Sequence, residues 1–300
     1  MKFFIIISII FLLPLLSFAL NHEGAAFCKF PKPTSTQTIT KTLTIAKNTD
    51  FKMKRIIFNG KENTCRKNIP GWTNNWDHAI IVENGVTISN LILGESPIGT
   101  SSDIICKGSC TLKNVLCIGS GQIYLELGSR FVIQTWSFEN VCWRAGTFIG
   151  ASNSKPGDKR KFTYIVDGGG ALDGFQKIFC TGGPGQTIVK NFCSVNNSIG
   201  VISAGMTSVQ YTRDVTVENS KFMGPMLTII GGNRKYNDKL TLRNVQIYGN
   251  NKPETNIKFA CCEYLGENAA NPWKYSYKPG EAGTSDKCCK YPASAVKIIN

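Results

Sequence analysis

The stretch Thr87-Ile-Ser-Asn90-Leu recurs along this chain with its asparagine in the same place. Its repeats read Thr111-Leu-Lys-Asn114-Val, Thr187-Ile-Val-Lys-Asn191-Phe, Val215-Thr-Val-Glu-Asn219-Ser and Thr241-Leu-Arg-Asn244-Val. Phe138-Glu-Asn140-Val fits the same frame, so successive asparagines are separated by 24, 26, 51, 28 and 25 residues. A period near 25 residues, with 51 as two periods, indicates a solenoid in which each repeat adds one coil.

The residues around each asparagine alternate between apolar and polar, as half-buried strands do. A parallel β-helix explains both features, because each coil would stack apolar side chains inward and pair its backbone with the neighbouring coils. An asparagine at the same turn of every coil could then bond its amide to the next turn. Residues 36–250 would make roughly eight coils. The alternative is an antiparallel sandwich, since asparagine is also common at ordinary turns.

The first residues have the composition of a secretory signal peptide. Phe3 to Leu16 is almost wholly apolar, and Ser17-Phe18-Ala19 supplies small residues at a cleavage site. No later apolar stretch approaches the roughly 20 residues of a membrane-spanning helix. We therefore expect a signal peptide at 1–19, a β-helix domain at 20–250 and a Cys-rich tail at 251–300 that packs on the helix.

The chain is strongly basic, with 34 Lys and Arg against 20 Asp and Glu and a formal charge of +14. Without Lys2, the secreted chain would still carry +13. This surplus points to a polyanionic partner outside the cell. An acidic polysaccharide fits better than nucleic acid or a membrane, because no aromatic and basic recognition motif is present. The alternative is that the lysines only keep a monomeric protein in solution.

Twelve cysteines, an even number, predict disulfides in an oxidising compartment. The close pair Cys106 and Cys110 does not indicate zinc, because the sequence contains only two histidines. Adjacent cysteines such as Cys261 and Cys262 are expected to bond to distant partners and to tie the tail to the body. The pairing itself stays open.

Several longer motifs carry a family resemblance. They are Ile80-Ile-Val-Glu-Asn-Gly-Val-Thr-Ile-Ser-Asn-Leu-Ile-Leu-Gly94, Cys106-Lys-Gly-Ser-Cys-Thr-Leu-Lys-Asn-Val115, Glu139-Asn-Val-Cys142 and Gly168-Gly-Gly-Ala171. Together they resemble the small secreted pectate lyases of polysaccharide lyase family 3, in order from about Thr36 to the end of the chain. The resemblance implies a single right-handed parallel β-helix with a disulfide-tied tail. It also implies Ca²⁺ and eliminative cleavage of α-1,4-linked polygalacturonate, the acidic polymer of pectin.

That reaction needs clustered acids beside several cations. A cation must neutralise the substrate carboxylate next to C5, and hard Ca²⁺ needs several oxygen ligands. A basic group must then remove the C5 proton. The site therefore requires Asp or Glu for calcium and Lys or Arg for the substrate on one face.

Most positions of the family's site are substituted in this chain. The family's Asp-Gly-Ile-His-Cys corresponds to Ser102-Asp-Ile-Ile-Cys106, and its Glu-Asp pair to Trp143-Arg144. Three cationic positions of the family's site correspond to Ile149, Leu172 and Ile202 in this chain, and the last of them is the family's candidate base. A fourth cation is retained as Lys177. The resemblance then implies Lys177 as the catalytic and substrate-binding cation, with Arg144 also binding substrate. Asp103 and Glu139 remain as calcium ligands, and Cys106, Cys110 and Cys142 as disulfide cysteines.

One extra period lies between Asn114 and Asn140. The family's acids could align instead with Gln122-Ile123, but neither register supplies the acid pair. Two functions therefore stay open. The first is a calcium-dependent pectate lyase with a rearranged site, and the second is a secreted, catalytically silent relative that binds acidic pectin or a host protein.

Overall fold

The computed structural model describes residues 26–59, 79–94, 104–118, 146–148, 161–172, 177–203, 211–264 and 275–299. These residues form twenty-three strands, numbered here in chain order, with short 3-10 turns at Arg234–Tyr236, Pro253–Thr255 and Ala293–Ala295. The expected signal peptide at 1–19 lies outside the described residues. No helix in the described part of the chain is long and apolar enough to cross a membrane.

The strands belong to two large sheets and one small one. The twelve-stranded sheet contains β1 (Ser35–Ile39), β3 (Thr49–Phe58), β5 (Val86–Leu93), β7 (Cys110–Ile118), β9 (Phe162–Leu172), β11 (Gly185–Lys190), β12 (Cys193–Val195), β14 (Arg213–Glu218), β15 (Lys221–Met223), β17 (Lys239–Arg243), β18 (Val245–Tyr248) and β23 (Val296–Ile299). The nine-stranded sheet contains β2 (Leu43–Ile45), β4 (Ile80–Glu83), β6 (Ile104–Lys107), β8 (Gly146–Phe148), β10 (Lys177–Thr181), β13 (Ile199–Ser203), β16 (Met226–Asn233), β19 (Ile257–Tyr264) and β20 (Tyr275–Tyr277). Strands β21 (Gly283–Thr284) and β22 (Lys290–Tyr291) form the two-stranded sheet.

Successive strands of each large sheet are parallel, and the chain passes from one sheet to the other within every repeat. The nine-stranded sheet has eight parallel strands among the described residues, β2 to β19, and only β20 is antiparallel. This arrangement confirms the predicted right-handed parallel β-helix of roughly eight coils and excludes the antiparallel sandwich. Strands β19 and β23 continue the two sheets beyond residue 250, where composition had suggested the end of the helix domain.

Aliphatic side chains stack along the interior, one from each coil. One stack in the twelve-stranded sheet consists of Ile88, Leu112, Val166, Val189, Val217 and Leu242, which are paired in register and fully buried. Burial of such a side chain contributes about 1.5–3 kcal/mol. The nine-stranded sheet contributes aromatic rings, since Phe148 stacks on Tyr164 at 4.9 Å between ring centroids.

The repeated asparagines form the predicted ladder at one corner of the solenoid. They turn the chain in the left-handed region, with φ between 47° and 55° at Asn90, Asn114, Asn191, Asn219 and Asn244. Asparagine tolerates this conformation better than most residues. The Asn114 amide donates to Asn90 Oδ1 at 2.8 Å, and the Asn244 amide donates to Asn219 Oδ1 at 2.9 Å.

The ladder is interrupted where the sequence suggested an extra rung. Strand β7 pairs directly with β9 over eight residue pairs, so the position after Asn114 in this sheet is occupied by Gly168. Gly168 has φ of 75° and no side chain to continue the ladder. Asn140, which fits the repeat by sequence, lies outside the described residues, and the extra period is not inserted between β7 and β9.

A strap of residues 26–34 runs along the outside of the twelve-stranded sheet. Phe27 stacks on Tyr248 with ring centroids 3.9 Å apart, and Cys28 is disulfide-bonded to Cys193. Farther along, the Thr34 hydroxyl donates to the carbonyl of Lys52 in β3. The strap therefore reaches from one of the last coils back to the first.

Candidate functional site

Two of the positions carried over from the family, Ile105 and Ile202, lie in one row of the nine-stranded sheet, whereas Leu172 ends β9 in the twelve-stranded sheet. Register places Ile81, Ile105, Thr147, Cys180, Ile202, Gly231 and Cys262 side by side in successive strands. Their neighbours Phe179, Val201 and Ile230 belong to the main core. Because side chains alternate along a strand, this row lies on the sheet's opposite face, and we call it the outer row.

The outer row is apolar where the family has polar catalytic groups. Ile202, the counterpart of the family's candidate base, is 1% exposed and packs in a separate apolar cluster with Cys180 and Tyr264. The hydroxyl of Tyr264 donates to the carbonyl of Ser203, which holds the tyrosine over this cluster. Ile105, the counterpart of the family's histidine, is also buried. The buried side chains of Ile105 and Ile202 contain no group that could accept a proton from a sugar.

Lys177, the retained cation, is the first residue of β10 and pairs in register with Ile199. Its side chain is 6% exposed. The structure thus places Lys177 on the sheet that contains the outer row. The other predicted residues of the site, Arg144, Asp103, Glu139 and Cys142, lie outside the described residues.

The predicted disulfide cysteines of this region join two successive strands. Cys106, at the end of β6, is bonded to Cys110, at the start of β7, and their Cα atoms are 6.1 Å apart. The bond closes the corner between the two sheets, four residues apart in sequence. It stabilises the turn beside the outer row.

The described residues do not fit a calcium ion. No group of three or more His, Cys, Asp or Glu side chains is present in that part of the chain. Calcium requires several oxygen ligands. The buried acid of this sheet, Glu263, is already engaged, since it accepts from Arg234 at 2.8 Å and from the backbone N–H of Cys289 at 2.8 Å.

A buried polar cluster closes one corner beside the outer row. Arg213 is 1% exposed, and its guanidinium donates to the carbonyl of Gly182 at 2.7 Å and to Ser203 Oγ at 3.3 Å. Asp238 accepts the backbone N–H groups of Arg213 and Asn233 at 3.0 and 2.7 Å. Burial raises the pKa of the Asp238 carboxyl, and this effect outweighs the hydrogen bond from Ser203 and the charge of Arg213. These groups bind one another instead of facing a substrate.

A second cluster ties the C-terminal segment to the solenoid. Arg234 donates to Glu263 and to Asp286 Oδ1, the latter at 2.5 Å, and its guanidinium lies 4.1 Å from the ring centroid of Tyr275. The hydrogen bond to Glu263 raises the pKa of Arg234, and the hydrogen bond from Arg234 lowers the pKa of Asp286. A disulfide between Cys261 of β19 and Cys289 completes this connection and confirms the disulfide-tied tail.

Sequence reasoning missed both clusters. Arg213 lies two residues before the repeat that ends at Asn219, and Glu263 lies in a segment with no motif. Only the three-dimensional pairing of coils shows that each is buried with a partner. Buried charges without partners would be strongly destabilising. The charged groups of these two clusters are therefore structural.

Comparison with known proteins identifies the family. A family model described as pectate lyase matches residues 28–119 and 127–270. The chain is 28% identical to probable pectate lyase F of Aspergillus terreus over 273 residues, which cover 90% of this chain and 96% of that protein. It is 25% identical to pectate lyase E of Emericella nidulans, over 91% of this chain and 88% of that protein.

Solved structures share the fold. The catalytic domain of pectate lyase PelI from Erwinia chrysanthemi superposes with a TM-score of 0.55 and 21% identity, covering 89% of this chain and 98% of that domain. PelI in complex with tetragalacturonic acid gives a TM-score of 0.56 at 22% identity, over 89% of this chain and 70% of that one. Since the family model matches well over half of the sequence, the chain belongs to the pectate lyase family.

Proposed function

We propose that the protein is a secreted pectate lyase that cleaves α-1,4-linked polygalacturonate in plant cell-wall pectin by β-elimination. The observation that carries the proposal is the family match, which runs through both large sheets and includes Lys177. The structural relative PelI binds tetragalacturonic acid, which supports the same substrate class for this chain. The basic composition, +14 over the whole sequence, suits an acidic polymer.

In this proposal, Lys177 supplies positive charge beside the substrate carboxylate, and Arg144 supplies a second cation. Elimination needs such charge because the C5 proton is weakly acidic until the neighbouring carboxylate is neutralised. Lys177 is buried at the start of β10, so it would act at the wall of the site and not from solvent.

In this proposal, Asp103 and Glu139 are the predicted calcium ligands. The described residues do not fit the ion, because they gather no set of acid ligands. We therefore assign no step of the reaction to calcium. Product release with added calcium and with a chelator tests whether the ion is required.

A second candidate function is supported by the outer row. Ile202 and Cys180 are buried in an apolar cluster on the face that carries the family's candidate base. A chain without that base could bind acidic pectin and leave it uncleaved. This member of the family would then be a binding protein.

Release of unsaturated product from polygalacturonate separates the two functions. The purified protein is assayed by ultraviolet absorbance with added calcium and with a chelator, and we expect product that depends on calcium. Lys177→Met should remove most of it. The matched control is Lys190→Met, because Lys190 lies on the other sheet, in an ion pair with Asp167 at 3.3 Å. No product from a folded wild-type protein, together with polymer binding, would favour the second function.

A further inference from the structure

We propose that the strap and the first coil form a second binding surface, separate from the outer row, which holds an acidic polysaccharide. The substrate class rests on the proposed function. Residues 26–59 make up this surface, called here the basic strap surface. They contain seven basic residues and one acid, namely Lys29, Lys32, Lys41, Lys47, Lys52, Lys54, Arg55 and Asp50. Almost half of the formal charge of the chain thus lies in 34 consecutive described residues.

The strap arranges its lysines along the solenoid axis. It contacts Tyr248 in β18 and Cys193 in β12, and Phe30 lies against Gly170 in β9. A Cβ atom on Gly170 would lie only 2.6 Å from the Phe30 ring, so the strap follows the sheet closely. Parallel coils are about 4.8 Å apart. Lys29 and Lys32 are exposed and three residues apart, so they lie within about 10 Å of each other, or about two coils, and lead toward Lys52.

At the end of this line of lysines, the backbone at Lys52 is in the left-handed region. Lys52 and Met53 have φ of 52° and 60°, and Lys29 has φ of 45°. The other non-glycine residues with positive φ in the described chain are all asparagines. A left-handed conformation is unfavourable for a residue such as lysine. In β3, the left-handed conformation of Lys52 and Met53 accompanies a register shift between Asp50 and Lys54. It leaves the Lys52 side chain exposed.

The single acid of the surface is occupied by its neighbours. Asp50 Oδ1 accepts the backbone N–H of Lys52 at 2.8 Å and the side-chain amide of Asn90 at 3.0 Å. It shapes the bulge that presents Lys52. The surface therefore presents exposed lysines with one exposed carboxylate among them, and its net charge stays positive.

Hydroxyl groups favour a polysaccharide over a nucleic acid. Strand β1 is exposed along Ser35, Thr36, Gln37 and Thr38, which can exchange hydrogen bonds with sugar hydroxyls. Surfaces for single-stranded nucleic acid use exposed aromatic side chains for base stacking. The aromatic side chains of the strap, Phe27 and Phe30, are half-buried against the sheet.

Protection of an edge strand does not account for the whole surface. Lysines often keep exposed edge strands from pairing with other chains. Lys54 fits that role, because its ammonium donates to Gln37 on the edge strand β1 at 3.3 Å. Lys29 and Lys32 lie on the strap and not on β1, so they need another explanation.

The test measures binding and cleavage separately. Lys29→Gln, Lys32→Gln and Lys52→Asn are combined in one variant, since asparagine suits the left-handed position of Lys52. The control variant combines Lys252→Gln, Lys258→Gln and Lys290→Gln, which are exposed lysines with the same total charge change. Binding to immobilised polygalacturonate is measured in chelator at several salt concentrations. Cleavage of soluble tetragalacturonate is measured with calcium.

We expect the strap variant to bind the polymer about tenfold more weakly at low salt, with a smaller salt dependence, because three exposed charge pairs are lost. The control variant should change by less than about twofold, and neither variant should alter cleavage of the short substrate. Equal weakening by both variants would show a net-charge effect and overturn the proposal, as would equally tight binding of duplex DNA. If the wild-type protein cleaves nothing, the proposed lyase activity fails, but the binding comparison still decides the strap surface.

Discussion

The side-chain amide of Asn114 donates a hydrogen bond to Asn90 Oδ1, 2.8 Å away, across 24 residues of sequence. Both residues turn the chain in the left-handed region. The same side chain therefore shapes its own coil and bonds to the coil before it. This double role explains why one residue type recurs at one period through most of the chain.

Replacement of Asn114 should separate the two roles. We expect Asn114→Ala to lower the free energy of unfolding by about 2 kcal/mol, because it loses the hydrogen bond and strains the left-handed turn. Asn114→Gly should cost about 1 kcal/mol, since glycine keeps the turn and loses only the bond. Denaturant unfolding of both variants checks this order, and equal losses would contradict it.

Removal of the strap disulfide should destabilise the protein more than removal of a local one. Cys28 and Cys193 are separated by 165 residues, whereas Cys106 and Cys110 are separated by 4. A cross-link restricts the unfolded chain more when it closes a longer loop. We expect Cys28→Ala with Cys193→Ala to cost about 2–4 kcal/mol. The matched control, Cys106→Ala with Cys110→Ala, should lower the melting temperature less.

An arginine placed at position 202 should damage the fold without restoring a base. Ile202 is 1% exposed in the outer row, so Ile202→Arg would bury an unpaired charge at a cost of about 3–5 kcal/mol. Ile202→Val should cost about 0.5–1.5 kcal/mol. Thermal unfolding and the pectate assay are measured on both variants. A stable Ile202→Arg protein with increased activity would show that this position opens to the substrate.

Three buried cysteines in the described residues carry free thiols: Cys180, Cys262 and Cys288. Burial raises the pKa of Cys262 to about 12, so its reactive thiolate is scarce at pH 8. We expect a thiol reagent to leave these three unmodified in the native protein and to modify all of them in denaturant. Mass spectrometry of labelled peptides assigns each thiol. Rapid native labelling of Cys262 would show that β19 opens readily.

Asp167, whose carboxylate accepts the side-chain amide of Asn191, should make a small contribution to the loss of stability in acid. Partial burial raises its pKa, but hydrogen bonds from Asn191 and Lys190 outweigh it and set the pKa below the ordinary value. The carboxylate therefore stabilises the fold above the unfolded pKa, and this contribution disappears as the pH falls through the folded value. The Asp167 side chain is 32% exposed, so the effect should stay below about 1 kcal/mol. Melting temperatures of wild type and Asp167→Asn should converge as the pH falls from 6 to 3; a constant difference would contradict this.

Much of the fold could be predicted because each coil repeats the same local requirements. Asn219 and Asn244 directly follow short alternating strands, and their period alone indicates stacking. The same reasoning predicted a further rung at Asn140, which lies outside the described part of the chain. Strand β7 instead pairs with β9, and Gly168 occupies the next position.

The candidate site was less predictable because it depends on contacts between distant coils. The family resemblance implies that Ile202 replaces a cation, but only the packed structure shows Tyr264 in the same apolar cluster. Likewise, nothing near Cys28 indicates Cys193 as its partner. Pairings across 165 residues depend on the number of coils between them, which sequence periodicity estimates only roughly.

The bond between Cys28 and Cys193 also depends on the number of coils in the folded protein. Its Cα atoms lie 5.5 Å apart, whereas disulfides tolerate about 4.4–6.8 Å. One coil too many or too few would displace Cys193 along the axis by about 4.8 Å while the strap keeps its length. During synthesis, Cys28 emerges long before its partner, and it must wait until the intervening coils have stacked. Oxidation of this pair can therefore cross-link only those chains that have assembled the right number of coils.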